Sequence, residues 1–79
     1  MARLRLFAAA REAAGTGTDT IDGMSVGAVL DAARSRYGTT FGEVLDGSRV
    51  WVNGEQAELD HPVKDSDEVA VLPPVSGGC

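Results

Sequence analysis

Arg3-Leu4-Arg5-Leu6-Phe7 alternates polar and apolar residues with period two, which predicts a strand with Leu4 and Leu6 toward a core and Arg3 and Arg5 toward water. Ala8 to Ala14 is rich in helix formers and stops at Gly15, the mark of one or two helical turns with a glycine exit. Thr16 to Ile21 mixes small polar and β-branched residues and is broken by Asp22-Gly23, so a second strand returns along the first. Ser25 then stands as an N-cap before Val26, Val29, Leu30, Ala33 and Tyr37, an apolar stripe at helical spacing that ends at Gly38.

Farther on, Phe41, Val44 and Leu45 predict a short helical turn, and Val50-Trp51-Val52 a short strand. Asn53-Gly54 favours a type I′ turn, whose central residues both need positive φ, and should send the chain back through Gln56 to Leu59. Asp60-His61-Pro62 and Asp65-Ser66-Asp67 are turn formers before a last strand, Glu68 to Leu72. The order is ββαββ with short helical insertions. One main helix across one face of a mixed sheet of four to five strands is an α+β arrangement of the β-grasp kind. The pattern permits the first and last strands to lie side by side, in which case they run parallel.

The chain has 79 residues, enough for one small core and too few for a deep internal cleft. The expected division is a domain over 1–72 and a flexible tail over 73–79. An apolar fraction of 43% and a charged fraction of 24% argue for a folded chain, and no apolar run is long enough for a membrane span or a signal peptide. A cytoplasmic protein without membrane contact is expected. The net charge is −5 and unevenly spread: residues 1–39 carry five basic and four acidic groups, residues 40–79 two basic and eight acidic. The acidic half would repel phosphate backbones, which argues against nucleic-acid binding. It reads either as a solvated face or as a surface complementary to a basic protein partner.

Candidate chemistry is sparse. One cysteine and one histidine make neither an internal disulfide nor a structural zinc site, and no bound metal or cofactor is expected. His61 precedes a proline and reads as a surface turn residue. Asp65, Asp67 and Glu68 lack the glycine and distal glutamate of a calcium loop, and Gly15-Thr16-Gly17 lacks the lysine of a phosphate loop. Trp51 reads as core or half-buried packing.

The end of the chain is different. In Leu72-Pro73-Pro74-Val75-Ser76-Gly77-Gly78-Cys79 the prolines cannot continue a ladder, and the glycines offer no side chains to hinder another backbone. Six residues from Pro73 to Gly78 span up to ~20 Å at roughly 3.3 Å each, enough to carry a terminal carboxylate into a partner's active site.

Leu6-Phe7-Ala8, Arg11-Glu12, Gly15, Val52-Asn53, Asp60-His61-Pro62, Asp67-Glu68-Val69-Ala70 and above all Pro73-Pro74-Val75-Ser76-Gly77-Gly78 resemble the MoaD/ThiS family of ubiquitin-like sulfur carriers. The small subunit of molybdopterin synthase is the nearest branch. The resemblance implies a β-grasp fold and a carrier that is not itself an enzyme. It further implies that a ubiquitin-activating-type adenylating enzyme of the MoeB/ThiF kind, using ATP and magnesium, adenylates the Gly78 carboxylate. A sulfur donor then displaces AMP to leave a thiocarboxylate, so Gly78 is the implied catalytic position.

By matched position, Phe7, Leu72, Pro73, Pro74, Val75, Ser76 and Gly77 are the implied partner-binding residues. The acceptor is a synthase such as the large subunit of molybdopterin synthase, in molybdenum cofactor biosynthesis. One departure is Cys79, which follows the second glycine and turns the Gly78 carboxylate into an amide. Either a hydrolase removes it, as in carriers with short extensions after the double glycine, or it was added in preparation of the protein. The alternatives are a carrier for thiamin, cysteine or a thiolated secondary metabolite, and a β-grasp protein-binding module without terminal chemistry.

Overall fold

The structure, a computed structural model, describes residues 1–74. Eight elements follow one another: β1 (Ala2–Leu6), α1 (Ala8–Ala14), β2 (Thr18–Ile21), α2 (Val26–Tyr37), α3 (Thr39–Asp46), β3 (Arg49–Val52), β4 (Glu55–Gln56) and β5 (Glu68–Leu72). The five strands form one mixed sheet in the order β2-β1-β5-β3-β4. β1 and β5 run parallel at its centre, with Leu4 beside Val69 and Leu6 beside Val71, and the other pairs are antiparallel. This is the β-grasp arrangement, and the expected neighbourhood of first and last strands is present.

The alternation in β1 sets the two faces. Ala2, Leu4 and Leu6 are buried while Arg3 and Arg5 are exposed, and Val50, Val52, Val69 and Val71 continue the inner face across β3 and β5. The stripe Val26, Val29, Leu30 and Ala33 of α2 lies on that inner face, and Phe41 and Leu45 of α3 close the core beside it. Ser25 caps α2 as expected, its Oγ accepting from the Ala28 amide at 3.1 Å. Gly15 ends α1 at φ 79 with its N–H donating to the Arg11 carbonyl. Asn53 and Gly54 have φ 52 and 86, the positive values the tight turn requires.

Two elements differ from expectation. The helical turn around Phe41 is an eight-residue helix, because Phe41 and Leu45 sit one turn apart and both reach the core, where the Phe41 ring meets Tyr37 at 5.1 Å. The return strand expected over residues 56–59 is only Glu55–Gln56. The chain leaves the sheet after Gln56 because its carbonyls serve α2 instead. The Gly27 amide donates to Leu59 O at 2.8 Å and the Val26 amide to His61 O at 3.0 Å, which satisfies amides of the first turn that no intrahelical partner can reach.

Candidate functional site

The inner face of the sheet is covered by helices, and its outer face is open. Register places Arg3, Arg5 and Phe7 from the β1 segment, Glu68, Ala70 and Leu72 from β5, and Arg49 and Trp51 from β3 on that open face. Phe7 is held there by the backbone. Its amide donates to Val71 O, and its carbonyl accepts from the Ala10 amide at 3.1 Å, so it belongs to the end of a strand and the start of a helix at once. The next residue, Ala8, has φ 51, the left-handed region that side chains other than glycine's rarely adopt. That kink stops the strand immediately after Phe7 and turns the chain toward the inner face as α1.

Phe7 is 39% exposed and Leu72, beside it on β5, is 38% exposed. The Arg5 guanidinium lies 5.5 Å from the Phe7 ring centre, within cation–π distance. Arg49 is the cross-strand partner of Leu72 and is exposed. Pro73 is half-buried and Pro74 exposed, directly after β5. The expected partner-binding residues Phe7, Leu72, Pro73 and Pro74 are therefore gathered at one end of the open face. The expected Val75, Ser76, Gly77 and Gly78, and Cys79 after them, lie outside the described residues.

Three residues of this face were not singled out for it beforehand: Arg5, Arg49 and Trp51. The signal was present, since Trp51 sits between two valines that point inward, and alternation alone puts its side chain on the outer face. It is half-buried against Ala70 and Gln56, its cross-strand neighbours.

Other candidates resolve into structural roles. His61 is exposed, and its carbonyl serves α2 as described. The acidic cluster is dispersed. Asp65 pairs with the N-terminal ammonium at 2.8 Å, and Glu68 lies 3.9 Å from Arg5. Asp67 accepts from the Lys64 amide and from Asn53 Nδ2, both at 2.9 Å, and these bonds hold its carboxyl below the usual carboxylate range. Asn53 Oδ1 in turn accepts from the Glu68 amide, so this group ties the β3–β4 turn to the start of β5. Among the described residues no three His, Cys, Asp or Glu side chains are placed to hold a metal ion, and no helix is long and apolar enough to cross a membrane. A groove of about 360 Å³ opens between α2, α3, β3 and the chain after β4, with Arg49 and Glu58 among its lining, and none of the expected site residues lines it.

The free edge of the sheet is occupied by its own side chains. On β2 the outward amide of Thr20 donates to Asp19 Oδ1 at 2.8 Å, and its carbonyl accepts from Arg36 at 3.2 Å. Thr18 is served by Thr16, whose hydroxyl donates to Thr18 O at 2.9 Å. A strand from another chain would find these groups taken, and the opposite edge, β4, is two residues long. Among the described residues the open face is left uncovered.

Comparison with known proteins agrees with this geometry. Residues 4–78 match the ThiS family. The small archaeal modifier protein 1 of Haloferax volcanii is 39% identical, the alignment covering 94% of this chain and 97% of that protein. The solution structure of small archaeal modifier protein 1 from Methanosarcina acetivorans superposes with a TM-score of 0.87 at 32% identity, covering 98% of this chain and 95% of the other. A Pyrococcus furiosus structure described as molybdopterin converting factor, subunit 1, gives a TM-score of 0.78 at 27% identity, covering 94% and 97%.

Proposed function

The chain belongs to the ThiS family of sulfur carriers and ubiquitin-like modifiers, and from that premise we propose that it carries sulfur as a thiocarboxylate on Gly78. The observation that carries the proposal is the extent of the family match, which runs through both glycines and ends at Gly78. In the proposed cycle the Gly78 carboxylate attacks the α-phosphate of ATP in an adenylating enzyme and releases pyrophosphate. A sulfur donor then displaces AMP, leaving a sulfur anion that is a better nucleophile than the oxygen it replaces. The side chains that catalyse both steps belong to the partners. This chain contributes the carboxylate and the docking residues Phe7, Leu72, Pro73 and Pro74.

Molybdopterin synthesis is the pathway to test first, given the likeness to the Pyrococcus furiosus protein. A second reading comes from the relative named as a modifier: the activated Gly78 is joined to another protein in place of sulfur. Intact mass separates the two readings. A chain ending at Gly78, given ATP, the adenylating enzyme and a sulfur source, should gain the mass of one oxygen-to-sulfur exchange, while attachment to a protein adds that protein's mass.

With the same adenylating enzyme, the chain ending at Gly78 should support ATP–pyrophosphate exchange and the chain ending at Cys79 should not. There the Gly78 carbonyl is a resonance-stabilised amide, and the only free carboxylate sits roughly 3.5 Å farther along. A misplacement of ~1 Å already costs about 100-fold in rate. Equal exchange by both chains would overturn the assignment of Gly78.

A further inference from the structure

Charge is segregated on this molecule in a way the net value of −5 hides. The open face carries Arg3, Arg5 and Arg49 against a single carboxylate, Glu68. The rest of the described chain carries eleven acidic groups against Arg11, Arg34, Arg36 and Lys64. Glu68 stands at the start of β5, next to Arg3 in register, near the turn that holds Asp65 and Asp67. At the other end, where the chain leaves β5, the exposed apolar pair Phe7 and Leu72 is flanked by Arg5, which also lies 3.9 Å from Glu68, and by Arg49. Arg49 makes no ion pair among the described residues, and Asp46 at the end of α3 is held by Arg34 at 2.7 Å.

We propose that the partner docking on this end of the sheet is a protein surface with an apolar depression for Phe7 and Leu72 and carboxylates at its rim facing Arg5 and Arg49. The inference rests on the carrier reading and specifies the chemistry of the surface that receives it. Two physical effects favour that complement. Opposite charges across an interface raise the association rate and fix orientation, and guanidinium groups take carboxylates in a planar, two-point geometry. The acidic remainder of the molecule repels the same acidic rim, so approach by any other face is disfavoured.

The test uses the chain ending at Gly78 with its ThiF/MoeB-type adenylating enzyme and measures ATP–pyrophosphate exchange as a function of carrier concentration and salt. For the unsubstituted carrier KM should rise steeply with salt. The double substitution Arg5→Glu and Arg49→Glu should raise KM tenfold or more at low salt with kcat little changed, and the gap should shrink at high salt. Arg5→Lys with Arg49→Lys should retain most of the affinity, and Lys64→Glu, at the opposite end of the sheet, should have little effect. Thermal melting accompanies each variant, and Arg49→Gln alone gives a smaller shift in the same direction should the double reversal fail to fold. A reversal that leaves KM unchanged, or that matches Lys64→Glu, overturns this inference while the carrier function stands. Absence of exchange by the unsubstituted carrier overturns both.

Discussion

Gly23 shows how one missing side chain is decided by a distant neighbour. A Cβ built there would lie 2.7 Å from both Val29 Cγ2 and the Val29 amide, closer than atoms approach without displacement. The glycine lets the loop after β2 pass against the first turns of α2, and its φ does not require it. Gly15 is the opposite case: φ is +79, yet no atom lies within 4 Å of the added position. Gly23→Ala should therefore cost about 1–3 kcal/mol by overpacking, against about 1 kcal/mol of left-handed strain for Gly15→Ala. Urea unfolding of the two variants checks the order, and a Gly23→Ala midpoint at or above that of Gly15→Ala would contradict the packing account.

At the scale of elements, α2 is fastened to the edge strand β2 by three side chains. Tyr37 Oη donates to Asp19 Oδ2, and Arg36 donates to the same oxygen at 2.6 Å and to the Thr20 carbonyl. The Tyr37 hydroxyl first, and then Arg36, hold the Asp19 carboxyl below its ordinary pKa of 3.8. Burial and the neighbouring carboxylate push the Tyr37 hydroxyl above its ordinary value of 10.0. A carboxyl with a depressed folded-state pKa stabilises the fold above its unfolded-state pKa, and that contribution is lost as pH falls through the folded value. Asp19→Asn should thus destabilise by on the order of 1 kcal/mol at pH 7, and the difference from the parent should shrink below about pH 3. Unfolding midpoints across pH 2–7 read this directly; a difference that stays constant over the range would show that Asp19 acts by packing alone. The same side chains cover the free edge of β2, so one cluster joins helix to sheet and discourages strand addition.

For the whole molecule, the core begins at Ala2 and ends at Val71, and the chain that follows contributes none of the described core residues. Folding and charging are therefore expected to separate. Gly78→Ala should leave the melting temperature within about 3 °C of the parent, since changes outside the core are usually worth less than ±0.5 kcal/mol, while adenylation falls by an order of magnitude or more. Equal losses in melting and adenylation would place the tail in the fold.

Much of this protein was legible in the residue order because the signals are local. Alternation in Arg3-Leu4-Arg5-Leu6, the cap at Ser25, the stripe of α2 and the turn at Asn53-Gly54 each depend on periodicity or φ within a few residues. What tertiary structure alone decided involves groups far apart in sequence. The Leu59 and His61 carbonyls serve the first turn of α2, whose amides would otherwise be left without intrahelical partners. The pairing of β1 with β5 set Phe7 beside Leu72 and left Arg5 and Arg49 around them, so that an acidic chain carries basic residues at one end of its open face. Composition sums charges without regard to position, whereas a sheet assigns each residue a face by its register, and only the assembled register shows which charges share one.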